Sequence, residues 1–205
     1  MGARSHWEKV YRTRQPTEVS WYRPHLEISL QLIEAAAADR GAHIIDVGAG
    51  ESTLVDDLLE RGYRNLHAMD LSSTALDVAK VRLGARADKV DWLCGDVTDF
   101  SFARHSFDVW HDRAVFHFLT DPADRAAYVG QVVHAVKPGG HVIVATFGPE
   151  GPTKCSGLDV IRYSPDSLHD AFGARFQLAA HRTELHRTPA GLVQQFTYCY
   201  CSVST

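Results

Sequence analysis

The stretch His43-Ile44-Ile45-Asp46-Val47-Gly48-Ala49-Gly50-Glu51-Ser52 decides the fold. Its apolar run from His43 to Val47 reads as a buried strand. Gly48-Ala49-Gly50 turns that strand tightly into a helix carrying Leu54, Val55, Leu58 and Leu59 at helical spacing, and Gly62 ends it. An acidic residue, Asp70, follows 24 positions after Asp46, at the end of the next strand in Leu66-His67-Ala68-Met69-Asp70-Leu71-Ser72. Glycines at 48 and 50 let backbone approach a ligand where a Cβ would collide, and a carboxylate at the second strand's end can accept from both hydroxyls of a ribose. The pattern implies a nucleoside cofactor. A dinucleotide fingerprint would place a third glycine at position 53, where this chain has Thr53, and Glu51 adds negative charge near the helix start. Both features disfavour a diphosphate on that helix N-terminus, so a cofactor without phosphate is expected.

Further motifs follow in a fixed order: Cys94-Gly95-Asp96-Val97, then Phe107-Asp108-Val109-Trp110-His111-Asp112, then Lys137-Pro138-Gly139-Gly140. With Asp46-Val47-Gly48-Ala49-Gly50 and Asp70 they cover residues 43–147, and the set resembles the class I S-adenosylmethionine-dependent methyltransferases. The resemblance implies S-adenosyl-L-methionine as cofactor. It assigns Asp70 to the ribose, Leu71 to packing on adenine, Asp96 to the adenine amino group and Val97 to a backbone contact. The methionine end would meet backbone at Gly48, Ala49 and Gly50, in a loop ordered by Asp46.

Strands and helices alternate from Ile44 onward: strands at 43–47, 65–69, 89–93, 107–111 and 141–147, helices at 52–61, 73–84 and 122–136. Such alternation predicts right-handed crossovers and a parallel sheet covered on both faces. Asp121-Pro122 opens one helix, and Ser164-Pro165-Asp166 opens another that Gly173 closes. Segments 175–186 and 192–202 read as a hairpin, which the resemblance makes the last two strands, the final one antiparallel beside the fifth. The expected fold is therefore α/β: a Rossmann-like, doubly wound, seven-stranded, mostly parallel sheet with an antiparallel last strand. One domain over 1–205 is expected, with an N-terminal lid and helix (6–40), a cofactor-binding core (43–147), and a substrate loop and C-terminal hairpin (148–205).

Composition narrows the function. The 205 residues carry a net charge of −4, so general nucleic-acid binding is not expected. No apolar run reaches the roughly 20 residues that cross a bilayer, and the N-terminus lacks a secretory core, so a cytoplasmic protein is expected. The four cysteines, Cys94, Cys155, Cys199 and Cys201, have no Cys-x-x-Cys spacing; free thiols and no metal are expected.

Ligands of doubly wound sheets lie at the carboxyl ends of the strands, which points to Trp110–Phe118 and Phe147–Leu158 for the acceptor. His117 is the candidate general base, and Asp112 or Arg113 could position a polar substrate, unless His117 is a core residue and the other two pair with each other. Trp7, Tyr11, Trp21 and Tyr22 precede the first strand. They read as a lid whose aromatic faces attract the sulfonium and exclude water, with Trp21 toward the cofactor and Trp7, Tyr11 and Tyr22 toward the substrate. Phe147 and Cys155 would wall the acceptor pocket. Similar aromatics occur in a branch that includes eukaryotic protein-lysine methyltransferases. Asp112-Arg113-Ala114-Val115, however, replaces the Asp-Lys-Gly-Thr type sequence of that branch, which argues against a protein-lysine substrate. Methyl transfer to a small-molecule acceptor is expected, thiols and related soft nucleophiles first; a protein-lysine acceptor and a non-catalytic cofactor-binding subunit are the alternatives.

Overall fold

Strand β1 (His43–Val47) pairs in parallel with β2 (Asn65–Asp70) on one side and β4 (Phe107–Arg113) on the other. The strand order therefore reverses at β1, and the cleft between the carboxyl ends of β1 and β4 is the topological switch point where such sheets bind ligands. This is a computed structural model and it describes residues 2–204. With β3 (Val90–Cys94), β5 (Val136–Phe147), β8 (Phe176–Arg187) and β9 (Val193–Val203), the sheet runs β3-β2-β1-β4-β5-β9-β8. Strand β9 is antiparallel to β5 and to β8, as the hairpin reading expected.

Both faces of the sheet's central strands are buried, while the edge strands β3 and β8 are largely exposed. Helices α2 (Glu27–Ala36) and α3 (Leu54–Glu60) cover one face with Leu30, Ile33, Leu54 and Leu58; α5 (Pro122–Ala135) and α6 (Pro165–Phe172) cover the other with Tyr128, Val132, Leu168 and Phe172. Full burial explains why β1 reads as a continuous apolar run rather than an alternation. Helix starts follow side-chain caps: Ser72 for α4 (Ser73–Leu83), Asp121 ahead of Pro122 for α5, and a Ser164–Ser167 capping box for α6, which Gly173 closes at φ 80°.

Three features differ from expectation. The N-terminal segment is partly helical: α1 (Ala3–Thr13) places Trp7 and Tyr11, four residues apart, on one face. Strand β5 begins at Val136, pairs there with Phe107, bulges through Lys137–Gly140 and resumes at His141. The Gly- and Pro-rich loop holds a two-stranded hairpin, β6 (Lys154–Cys155) and β7 (Leu158–Asp159), turned by Ser156 and Gly157 at positive φ. Among the described residues, no helix is long and apolar enough to cross a membrane.

Candidate functional site

A cavity of about 290 Å³ lies at the switch point. The turn after β1 builds its floor. Gly48 stands at φ 69°, and a Cβ there would lie 2.0 Å from Val115 Cγ2; Gly50 stands at φ 51°, and its Cβ would lie 2.6 Å from the Tyr11 hydroxyl. These two glycines make room for protein side chains that close the site, as well as for a ligand. Arg82 pins the turn from outside by donating to the carbonyls of Glu51 and Ser52 at 2.8 and 2.6 Å.

Asp70 ends β2 inside the cavity. Its Oδ2 accepts from the Gly50 N–H at 2.9 Å and its Oδ1 from the Ser72 N–H at 2.8 Å, while burial pushes the carboxyl up to about 6. Leu71, Asp96 and Val97 line the same wall, with Met69, Gly95 and Thr98 beside them. Asp96 Oδ1 also caps its own turn, accepting from the Thr98 N–H and hydroxyl at 3.0 and 2.7 Å. A second oxygen remains for a ligand.

Aromatic side chains roof the cavity. Trp7 packs against Tyr11, Trp21 and Phe118 with centroids 6.0, 5.9 and 5.1 Å away. Helix α1 is held down by Glu8, whose carboxylate accepts from the Ser73 N–H at 2.8 Å and from the Thr74 hydroxyl at the N-terminus of α4. The strap over residues 20–23 is gripped from β8 and β4. His186 Nε2 donates to the Ser20 carbonyl at 2.7 Å, and Arg113 donates to the Trp21 carbonyl at 3.3 Å. Trp21, Gly48 and Arg113 also border a smaller chamber, which Asp46, Ala49 and Tyr22 line. Asp46 there accepts from His111 Nδ1 at 2.7 Å.

Several expected acceptor residues are turned away from the cavity. His117 is fully buried in the core: its Nδ1 accepts from the Phe147 N–H at 3.1 Å, and burial pulls its pKa down to about 3. An imidazole that loses its proton so readily and does not line the cavity does not fit the general-base expectation. Asp112 is equally buried. Its oxygens accept from the N–H groups of Val115 and Phe116 at 2.8 and 3.0 Å and from the Tyr128 hydroxyl at 2.7 Å, so it shapes the turn after β4 rather than touching a substrate. Arg113 lines the cavity but does not pair with Asp112; it pairs with Glu184 at 3.3 Å, donates to the Tyr198 hydroxyl at 3.0 Å and stacks on Phe196. Phe147 packs between His117 and Phe196 and does not reach the cavity. Tyr22 reaches the smaller chamber only, whereas Trp7, Tyr11, Trp21 and Cys155 line the main one.

Phe118 and Leu158 line the cavity from the two segments expected there, whereas sequence reasoning missed Leu119 in the cavity wall and Glu184 behind Arg113. A signal existed for the last: Glu184 and His186 share one face of β8, and both are buried where a strand would ordinarily present apolar side chains.

A doubly wound sheet with a Gly-x-Gly turn, a ribose-type acid and an apolar adenine slot at its switch point defines a nucleoside-cofactor domain. The comparisons name the family: the methyltransferase domain matches residues 44–140. The chain is 28% identical over 121 residues to the mouse (Mus musculus) eEF1A lysine and N-terminal methyltransferase, covering 58% of this chain and 17% of the relative. It is 29% identical over 151 residues to the ubiquinone biosynthesis O-methyltransferase of Neisseria meningitidis, covering 70% and 61%. A solved structure from work on the conversion of a disulfide bond into a thioacetal group during echinomycin biosynthesis superposes with a TM-score of 0.78 at 18% identity, over 99% of this chain and 92% of that one. The chain thus spans less than two thirds of either sequence relative. The match over residues 44–140 is to a methyltransferase domain, in line with the class I resemblance and with S-adenosylmethionine as the expected cofactor. The residues present fit that cofactor: a buried carboxylate at the ribose position, apolar Leu71 and Val97 with acidic Asp96 at the adenine position, and three indole and phenol faces for a sulfonium.

Proposed function

We propose that the protein transfers the methyl group of S-adenosylmethionine to a small-molecule acceptor whose nucleophile is sulfur. The observation that carries this reading is the wall beyond the cofactor: Ala114, Val115, Phe118, Leu119 and Leu158 line it, and His117 of the same segment is turned into the core. When bound, S-adenosylmethionine supplies an electrophilic methyl group on a sulfonium whose leaving thioether needs no protonation. Asp70 holds the ribose, Leu71 and Val97 flank the adenine, and Asp96 accepts from its amino group. Trp7, Tyr11 and Trp21 exclude water and present aromatic faces to the positive charge.

Titratable groups on the wall are poor bases for a hydroxyl acceptor. Burial raises the Tyr11 phenol well above its ordinary value and pushes the Cys155 thiol up to about 11. Arg113 is a cation paired with Glu184, and Asp124 stands on the exposed rim. A hydroxyl acceptor requires a positioned base, whereas a thiol near neutral pH is already partly ionised and intrinsically nucleophilic. Catalysis then reduces to alignment and water exclusion. The disulfide-to-thioacetal chemistry associated with the structural neighbour is consistent with a sulfur acceptor, and a cavity of about 290 Å³ that also takes the cofactor leaves room for a small one only.

The test is conversion of S-adenosylmethionine to S-adenosylhomocysteine against a panel of sulfide, small thiols, small amines and carboxylates, and a protein extract, with Asp70→Ala as control. Turnover with a small thiol, lost in the control, is expected. Turnover with an amine or carboxylate alone would overturn the sulfur assignment, and turnover on the extract alone would move the acceptor to protein.

A further inference from the structure

The far end of β8 inverts the pattern expected of a strand that packs on a core. Glu184 and His186 are buried there, whereas Leu185 between them is 67% exposed. Side chains alternate across a strand, so the inward face is polar and the solvent face carries the leucine. Burying a carboxylate and an imidazole costs free energy that an apolar pair would not, unless each finds partners. Both do, and the partners converge on the N-terminal strap.

Residues 14–26 join α1 to α2 without helix or strand, so their placement depends on side-chain donors rather than on a backbone ladder. His186 Nε2 donates to the Ser20 carbonyl at 2.7 Å, Arg113 donates to the Trp21 carbonyl at 3.3 Å, and Glu184 Oε1 faces Arg23 Nε at 3.6 Å. Glu184 also orients Arg113, because its Oε2 accepts from that guanidinium at 3.3 Å and from the Tyr198 hydroxyl at 2.9 Å. The His186 ring packs edge-on against Phe196, its Nδ1 has no partner among the described residues, and burial lowers its pKa. The ring is therefore neutral, with its one proton on Nε2 and aimed at the strap. What these bonds fix is Trp21, whose indole stands edge-on to Trp7 and Tyr11 at 5.9 and 6.4 Å and lines the cavity.

We propose that His186 is a positioning residue: from outside the cavity, and with Glu184 as its second grip, it clamps the strap so that Trp21 stays closed over the site. Neither residue lines the cavity. The clamp rests on the geometry of the strap, and only its consequence for ligands rests on the methyltransferase reading above. A displacement that depends on alignment and on exclusion of water loses both when its roof moves, although no reacting group has been removed. The C-terminal hairpin thereby acts on a site that its own buried polar side chains do not reach.

The experiment pairs amide hydrogen exchange with calorimetric titration of S-adenosylhomocysteine, on wild type, His186→Leu, His186→Gln, Trp21→Ala and the double variant His186→Leu/Trp21→Ala. Leucine fills the space but leaves the Ser20 carbonyl without its donor, whereas the glutamine amide can donate from nearly the position of Nε2. His186→Leu is expected to speed exchange over residues 16–25 by about tenfold, with β8 and β9 unchanged, and to weaken S-adenosylhomocysteine about five- to thirty-fold. His186→Gln is expected to restore both. In the Trp21→Ala background the leucine substitution is expected to change affinity by less than about twofold, because the clamp then has no ring to hold. Faster exchange spread evenly over β8 and β9 with a lowered melting temperature would assign His186 to hairpin packing and overturn the proposal, as would a leucine effect undiminished without Trp21. Failure of S-adenosylhomocysteine to bind wild type would strike the cofactor reading instead, and the exchange pattern over 16–25 would still decide the clamp.

Discussion

The β1–β3 side of the cleft and the β4–β9 side both end a strand in a buried aspartate, yet the two sides use their polar groups in opposite ways. Asp70 and Asp112 each accept from two backbone N–H groups and are each pushed up to about 6 by burial. Asp70 keeps an edge open to the cavity. Asp112 is closed off by a third donor, the Tyr128 hydroxyl, which itself accepts from Trp110 Nε1 at 2.9 Å. On the first side polar residues are left for a ligand; on the second they hold one another, and the cavity there is lined by aliphatic and aromatic surface. The difference is tertiary rather than local, because it is set by which helix packs behind the strand end.

Arg113 gives the largest test of that contrast. If it belongs to the holding side, Arg113→Met leaves Glu184 buried without its partner and lowers stability by about 3–5 kcal/mol. Adding Glu184→Gln removes the orphaned charge, so the double variant is expected to recover part of the loss in denaturant titration. A single variant that melts like wild type and loses only turnover would place Arg113 on the ligand-handling side and break the comparison.

His117 gives an intermediate effect, and it has a sign in pH. Folded, its pKa sits at about 3; unfolded, near 6.5. Between those values the unfolded chain binds the extra proton, so the stability associated with neutral His117 is complete above about 6.5 and falls as pH drops toward 3, by at most about 1.4 kcal/mol per pH unit. Asp70 and Asp112, with raised folded values, act oppositely: their contribution is complete below the ordinary carboxylate range and is lost as pH rises toward 6. Subtracting the stability–pH curve of His117→Phe from that of wild type isolates the histidine. The variant is expected to lose acid sensitivity and to keep turnover within far less than the roughly hundred-fold loss that removing a general base brings. A hundred-fold loss with an unchanged melting curve would restore His117 as the base.

The same contrast explains what was legible in the sequence. Each strand of the cofactor half carries its own signal: the positive-φ glycines 48 and 50 lie inside the turn that needs them, and Asp70 and Asp96 stand at strand ends that the alternation locates. Helix caps at Asp121 and Ser164 are equally local. The orientation of Asp112, Arg113 and His117 depends on Tyr128, Glu184 and Phe147, which are 16, 71 and 30 positions away, and no spacing rule reaches that far. Helix α1 escaped for a nearer reason: its charged and aromatic residues suggested a lid, while the four-residue spacing of Trp7 and Tyr11, a helical face, was the clue available.

Ala114 gives the smallest effect, and it sharpens the comparison where the two sides meet. It follows β4 directly, lines the cavity, and stands at φ 77°, where a Cβ costs about 1–2 kcal/mol. Its N–H donates to the Ala145 carbonyl at 2.8 Å, and the next two N–H groups go to Asp112, so the left-handed residue is held by bonds on both sides. Glycine would relieve the clash but add freedom to the unfolded chain, an offset of about 0.4–1 kcal/mol. Ala114→Gly is therefore expected to raise stability by up to about 1 kcal/mol in a thermal or denaturant melt. Its effect on turnover separates two roles for the strain. If Ala114 merely tolerates the turn that Asp112 imposes, turnover is unchanged. If its stiffness fixes the Val115–Phe118 wall against the acceptor, turnover falls while the melting temperature rises, because loosening the wall costs alignment and not packing.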